Sequence, residues 1–169
     1  MMAPVVRRTW APRGKTPILK QVGRSHKKVS VIAALTVPPR RRRVSMFFSM
    51  YADTNITAAK VVHFLRHLRR HVRNPIILVW DRSNTHRAKI VGRFFDNHGG
   101  WSAAHFPAYA PELNPVEAVW AWLKTNPLAN WAPTDIKALG ATARYHAHAL
   151  KKRPDLLRSF LKATPLFLD

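Results

Sequence analysis

Cysteine is absent from the sequence, which excludes disulfide bonds, thiol catalysis and cysteine-ligated zinc. Long apolar runs are absent as well: solid runs such as Ile76 to Trp80 are far too short to span a bilayer. The first residues also lack the apolar stretch of a secretory signal peptide. We therefore expect neither a disulfide-stapled secreted domain nor a membrane protein.

Acidic residues are scarce in this chain. Asp and Glu number 8 against 29 Lys and Arg, and the formal net charge is +21 at pH 7. The excess positive charges repel one another unless a polyanion lies close. Nucleic acid is the first candidate partner and an anionic membrane surface is the second. A generally basic protein, such as a ribosomal one, is the alternative, and the charge favours nucleic acid of some kind.

The pattern of apolar residues indicates one layered α/β domain. The 169 residues are 47% hydrophobic, enough for one core. An antiparallel hairpin is predicted first, and the continuous apolar run that follows is typical of a parallel strand covered on both faces. The predicted strands are Lys28 to Val37, Val44 to Tyr51, Ile76 to Trp80 and Trp101 to Phe106, and the predicted helices are Thr57 to Val72, Ala88 to Asn97, Pro115 to Thr125, Thr134 to Leu150 and Pro154 to Ala163.

One carboxylate, that of Asp81, directly follows the predicted strand Ile76 to Trp80. Binding sites of parallel sheets lie off the carboxyl ends of their strands, so this side chain is a candidate for function. Asn84 and His86 come next and are placed to orient the carboxylate or to contact a substrate. The alternative is that Asp81 caps the next helix or makes a turn. This segment by itself leaves both interpretations open.

A second carboxylate lies at the start of a predicted helix. Asn114 is a good N-cap, and Pro115 suits the first helical position. Glu117 then occupies the third helical position, where the glutamate of a capping box belongs. The functional alternative is that Glu117 projects from the first turn toward Asp81. A helix, a strand and a loop fit between the two residues and can return the chain to the same end of the sheet.

These two segments together resemble the DDE transposases of the insertion-sequence 630 group, relatives of the mariner-like elements. Residues Pro107 to Glu117 match the P-x-Y-x-P-x-L-N-P-x-E pattern that ends in the catalytic Glu of that group. Asp81, followed by Asn84 and His86, matches the segment of its second catalytic Asp. Residues 6–14 look like the segment that follows the first catalytic Asp. The resemblance covers nearly the whole chain.

The resemblance implies an RNase H-like fold, a mixed α/β sheet flanked by helices, in a single DDE endonuclease domain over residues 1–169. It implies that Asp81 and Glu117 are catalytic and bind metal, in a complete site that holds two Mg²⁺ or Mn²⁺ ions on three carboxylates. The candidates for orienting or binding the substrate are Asn84, His86, Asn114, Arg40, Arg41, Arg42 and Arg43.

The first catalytic Asp of the group has no counterpart here. It lies on a strand just before the segment that residues 6–14 match, usually in a D-E-x-G context, whereas this sequence has no acid before Asp53. We therefore expect an N-terminally truncated domain that lacks the first, interior strand of its sheet, lacks a helix-turn-helix domain and is inactive by itself. Val5 to Trp10 is a candidate to pair in place of that strand. An upstream-encoded transposase chain is a candidate supplier of the first Asp.

The resemblance also implies partners and a location. Transposon ends and target DNA are the expected partners, a homodimer is the expected active assembly, and the bacterial cytoplasm beside the nucleoid is the expected compartment. Two alternatives remain: a non-catalytic, basic nucleic-acid-binding remnant of a transposase, and an RNase H-like nuclease that acts on RNA or hybrids. His146 and His148 are not expected to form a metal pair, because helix positions two apart face different directions.

Overall fold

A computed structural model describes residues 5–18, 27–39 and 43–165. Every predicted strand and helix is confirmed in type and order, with boundaries shifted by two residues or fewer. A short 3₁₀ turn at Pro111–Leu113 precedes the third helix. The elements are β1 (Val29–Thr36), β2 (Ser45–Ala52), α1 (Ala58–His71), β3 (Ile76–Trp80), α2 (Lys89–Asp96), β4 (Trp101–His105), α3 (Pro115–Thr125), α4 (Ile136–Lys151) and α5 (Pro154–Lys162).

Strands β1 and β2 form the predicted antiparallel hairpin over their full length. All residues of β1 are half-buried, so the strand is covered on both faces. Ile32 and Ala34 pack into a core cluster with α1, whereas Leu35 packs into a second cluster with α3, α4 and α5. The hairpin therefore lies between two helical layers. No helix among the described residues is long and apolar enough to cross a bilayer.

Helix α1 buries one apolar stripe and exposes a basic face. Thr57 caps it by accepting a hydrogen bond from the Lys60 amide at 3.4 Å. The opposite end carries Arg69, Arg70 and His71, whose charges suit the negative end of the helix dipole. The residues of the buried stripe follow the spacing of three and four that the sequence predicts: Val61, Val62, Phe64, Leu65 and Leu68.

Strands β3 and β4 pair in parallel, with Ile76 opposite Trp101 and Trp80 opposite His105. Among the described residues these two strands form a sheet separate from the hairpin, with no ladder between β1 and β3. Both sheets nevertheless pack on α1 in the same core cluster. The expected mixed sheet is thus present as an antiparallel pair and a parallel pair, and both outer edges of each pair are free of ladder bonds within the described chain.

The segment Val5 to Trp10 does not pair in place of an interior strand. The Val5 carbonyl accepts from the Asn130 amide at 3.0 Å, and the Arg7 amide donates to Asn130 Oδ1 at 2.7 Å. Arg7 also donates to the Thr125 carbonyl. These bonds hold the segment against the loop after α3, where Asn130 lies. The segment therefore does not pair with β1 or with β3. The candidate pairing inferred from the sequence is wrong.

The expectation that β3 is covered on both faces is also wrong. Ile77 is 74% exposed and Val79 46% exposed, although the alternate residue Trp80 is buried. Helices α1 and α2 cover the Trp80 face. Helices α3, α4 and α5 pack against the hairpin instead of the parallel pair, so the Ile77 face is open within the described chain.

Leu65 of α1 is buried, whereas Ile77 lies on the open face of β3, so truncating these two side chains should have unequal effects on stability. Leu65→Ala, at a site only 1% exposed, should lower the free energy of unfolding by about 2–5 kcal/mol, since it leaves a cavity. Ile77→Ala should change it by no more than about 0.5 kcal/mol, because its side chain already contacts water. Urea unfolding of the two variants measures both values. Equal losses of unfolding free energy in the two variants would show that the face of β3 that carries Ile77 is buried.

Candidate active site

Asp81 and Glu117 line the same open cleft, with a volume of about 390 Å³. Asp81 follows the last residue of β3, and Glu117 lies in the first turn of α3. The wall between them is the loop that leaves the neighbouring parallel strand β4 and begins at Phe106. Because β3 and β4 are parallel, their carboxyl ends and the loops that follow meet at one edge of the sheet. The cleft therefore lies where the sequence analysis placed its candidate site.

Hydrogen bonds hold the Asp81 carboxylate without burying it. Its Oδ1 accepts from the Ser83 amide at 2.9 Å and from His86 Nδ1 at 2.7 Å, while the side chain remains 61% exposed. Partial burial raises the pKa of Asp81, but the Ser83 amide and the charge and hydrogen bond of His86 outweigh it, so the pKa lies below its ordinary value. Asp81 thus makes the turn-like bond to Ser83 but does not cap α2, whose N-cap is Ala88.

His86 is fixed between Asp81 and the core. Its ring stacks on Trp80 with centroids 4.2 Å apart and planes 5° from parallel. The ring is only 17% exposed at its side chain, and Nδ1 is the nitrogen that meets the carboxylate. A ring clamped in this way limits the rotation of the Asp81 side chain. Asn84 does not do so: its Oδ1 accepts from Arg87 at 2.8 Å instead.

Glu117 is not engaged in a capping box. Asn114 caps α3 as predicted, since its Oδ1 accepts from the Val116 amide at 3.1 Å. The Asn114 amide, which a capping-box glutamate would accept from, donates to the Pro111 carbonyl at 3.0 Å. Within the described chain the exposed Glu117 carboxylate makes no hydrogen bond or ion pair. It is therefore available to a ligand in the cleft.

The arginine turn is only partly described. Arg40, Arg41 and Arg42 lie outside the described residues. Arg43 is exposed just before β2 and does not line the cleft of Asp81 and Glu117. The substrate-binding role predicted for these four residues is untested.

Two further residues line the cleft: Arg82, which the sequence analysis does not name as a candidate, and Tyr109, which is the tyrosine of the matched pattern but has no role assigned there. Arg82 follows Asp81 directly, and a cation beside a carboxylate at a strand end is a signal that sequence reasoning can use. Tyr109 is fully exposed and has a φ of 58°, a conformation that is uncommon for residues other than glycine. An exposed aromatic ring in such a conformation occurs more often at functional sites than elsewhere.

Residues 2–139 of the chain match the family model of the DDE superfamily endonucleases. The chain belongs to this family. The resemblance to DDE transposases drawn from the Asp81 and Glu117 segments is thereby confirmed. Among curated proteins no match was found.

Solved structures show the fold of this DDE endonuclease domain. The catalytic domain of the Mos1 mariner transposase matches with a TM-score of 0.55 at 14% identity, over 80% of this chain and 74% of that one. It confirms the RNase H-like architecture, with α/β layers built from two small sheets and five helices in the described chain. The Mos1 strand transfer complex matches at 14% identity and a TM-score of 0.49, over 98% of this chain and 52% of that one. This chain therefore spans about half the length of the protein in that complex.

The cleft residues fit a hard divalent cation in part. Mg²⁺ and Mn²⁺ prefer oxygen ligands, and both exposed carboxylates supply them. The hydrogen bonds from Ser83 and His86 to the Asp81 carboxylate both reach Oδ1, and the Glu117 carboxylate makes no hydrogen bond within the described chain. In the described ranges, however, no three His, Cys, Asp or Glu side chains come close enough together to hold an ion. Among the described residues the cleft therefore offers two carboxylates to such an ion.

Proposed function

We propose that this domain is the catalytic domain of a DNA transposase, which cleaves DNA and transfers strands with the aid of two Mg²⁺ or Mn²⁺ ions. The observation that carries the proposal is the pair of available carboxylates, Asp81 and Glu117, on one open cleft at the carboxyl end of a parallel sheet. Membership of the DDE superfamily endonucleases supports the reaction class. The net charge of +21 supports DNA as the substrate.

Each cleft residue has a role in this proposal. Asp81 and Glu117 hold the metal, and His86 positions Asp81 through the 2.7 Å hydrogen bond and the stacking on Trp80. Arg82, at the mouth of the cleft, binds a phosphate of the substrate, and Asn114 positions Glu117 by fixing the start of α3. When bound, the ions would activate water or a DNA 3′-hydroxyl and stabilise the departing 3′-oxygen.

The proposed site takes its third carboxylate from outside these 169 residues, on a strand that pairs between β1 and β3. Three observations support this: the described lining of the cleft offers two carboxylates, β1 and β3 each have an edge with no ladder partner within the described chain, and Val5 and Arg7 are bonded elsewhere. An upstream segment, in cis or as a second chain, is the proposed source. Residues 1–169 then form one DDE endonuclease domain, and a helix-turn-helix domain for end recognition is separate from it.

The proposed partners follow from this function. They are transposon ends and target DNA, and a second copy of the domain in a homodimer that acts on two ends. Mos1 assemblies that match the chain include a strand transfer complex and a paired-end complex with a left transposon end. Bacterial DNA in the cytoplasm is the proposed place of action.

A metal titration tests the function. The chain, joined to the segment encoded immediately upstream, should nick supercoiled plasmid only when Mg²⁺ or Mn²⁺ is added, because the two carboxylates act through the ions. Binding of the same plasmid should persist in EDTA, since it depends on Lys and Arg contacts with phosphates. The measurements are gel assays of nicked product and filter binding.

The two alternative functions give different results in this experiment. Binding with no nicking at any metal concentration would favour the non-catalytic, nucleic-acid-binding remnant. Faster cleavage of an RNA–DNA hybrid than of duplex DNA would favour the RNase H-like nuclease. Either outcome would contradict the transposase proposal.

A further inference from the structure

A basic groove runs along β2, the outer strand of the hairpin. It has a volume of about 450 Å³, with β2 as its floor and α1 and α4 as its walls. It shares no residue with the cleft of Asp81 and Glu117. The histidine groove, as we name it, is lined by six side chains that are cationic or become so on protonation: His63, His67, His71, Arg144, His148 and Lys151.

The α1 wall presents three histidines at intervals of four residues. This spacing places His63, His67 and His71 on one helix face, and each step rises about 6 Å. The His67 and His71 rings lie 4.6 Å apart, and His71 Nδ1 donates to the His67 carbonyl at 2.9 Å. Because Nδ1 carries the proton, Nε2 of neutral His71 is only an acceptor. Protonation converts it into a donor that suits a phosphate oxygen.

The α4 wall is held close to the histidines by the aromatic floor. Lys151 Nζ lies 5.1 Å from the centroid of the Phe47 ring, which also contacts the His71 ring at 5.6 Å. His148 packs edge-on against Phe48 with centroids 5.0 Å apart. Because side chains of both walls contact aromatic residues of β2, this strand determines how far apart the two basic walls lie.

The positive charge of the groove is not neutralised by the protein. No Asp or Glu belongs to its lining within the described chain. Burial lowers the pKa of His67, and the nearby charges of His71, Arg70, Lys151 and His63 lower it further. A bound anion would remove this repulsion, whereas a bound metal cation would add to it. The charged and titratable groups around His67 are His63, Arg70 and His71 on α1, Arg144, His148 and Lys151 on α4, and Tyr51 on β2.

We infer that the histidine groove binds the phosphate backbone of a DNA segment separate from the one in the catalytic cleft, and that it binds more tightly as its histidines take up protons. The inference rests on the proposed DNA function. Charge complementarity supports it, because Arg144, Lys151 and four histidines that become cationic on protonation face a ligand with one negative charge per about 1.7 Å of duplex. A groove lined by five consecutive residues of β2, from Phe47 to Tyr51, suits an extended polyanion better than a small one.

The test compares three proteins by fluorescence anisotropy of a labelled duplex in EDTA. They are the 169-residue chain, its double variant His67→Gln with His71→Gln, and the matched control His146→Gln, whose ring contacts Tyr145 outside the groove. The unmodified chain should bind about tenfold more tightly near pH 5 than near pH 8, because a bound phosphate favours protonated imidazole, whereas burial lowers the pKa of His67 in the free chain. The double variant should lose most of that ratio, and its salt slope should fall by about 0.9 for each phosphate contact removed. The control should retain both.

Further measurements test whether a change in folding, in self-association or in catalysis accounts for the altered DNA binding. Thermal unfolding confirms that all the proteins are compared below their transitions. A further variant, Lys151→Gln, should weaken binding at both pH values, because it removes a cationic side chain from the groove. An unchanged pH ratio in the double variant would overturn the inference. Dimerisation through β2 in place of a DNA effect, seen by sedimentation, would also overturn it and show that the histidines only protect an edge strand. Metal-dependent nicking is measured separately, so its failure would count against the proposed function and leave the binding result intact.

Discussion

The 169-residue chain assayed alone should show no Mg²⁺-dependent nicking, and an added segment that carries the third carboxylate should restore it. The same segment should raise the melting temperature, because its strand would pair with the edges of β1 and β3 that have no ladder partner in the described chain. Each buried polar group left unpaired costs about 1–3 kcal/mol. This is a large part of a total stability of about 5–15 kcal/mol.

A matched segment in which the carboxylate is replaced by its amide is the control. It should restore the melting temperature but not the nicking, because the strand pairing survives and the metal ligand does not. Thermal unfolding and plasmid nicking measure the two effects. Efficient nicking by the 169 residues alone, abolished by Asp81→Ala, would show that another residue completes the site and would contradict this prediction.

In the assembly that nicks DNA, Asp81→Asn and Glu117→Gln should each lower the rate at least about 10³-fold, or about 4 kcal/mol of transition-state stabilisation. Both substitutions keep the size of the side chain and remove the charge that holds the ions. Neither should weaken DNA binding in EDTA, because the anionic cleft side chains do not attract phosphate. Single-turnover nicking and filter binding measure the two quantities.

Two carboxylates outside the cleft provide matched controls. Glu112→Gln changes a glutamate in the 3₁₀ turn just before α3, and Asp96→Asn changes an exposed aspartate at the end of α2. Neither residue lines the cleft, so both variants should nick at nearly the original rate. A loss of activity in the controls as large as in Asp81→Asn would show that net charge, and not the site, sets the rate.

The local sequence was enough to predict the strands and helices, and also the residues at which β3 ends and α3 begins, where the candidate site residues lie. Apolar residues recur with the period of a helix in α1, and Asn114 with Pro115 marks the start of α3 at the residue where the structure begins it. Asp81 follows β3 in the sequence and in the structure alike. The matched pattern from Pro107 to Glu117 went further, since it predicted the family that the chain belongs to.

Contacts between distant residues needed the tertiary structure. The sequence could not show whether Glu117 served a capping box, because the answer depends on the Pro111 carbonyl, which takes the Asn114 amide. It also suggested a β3 covered on both faces, because an apolar run records which residues tolerate burial and not which faces a helix reaches.

The sequence by itself determined the secondary structure, the positive charge and the residues that flank β3 and begin α3, because these properties are local or additive along the chain. Only the tertiary structure decided that Asp81 and Glu117 share a cleft, that Val5 to Arg7 lies against Asn130, and that α4 faces the histidines of α1. Those outcomes depend on which apolar faces of separate elements pack together. The choice is made by the whole core at once and leaves no periodic signal within any single segment.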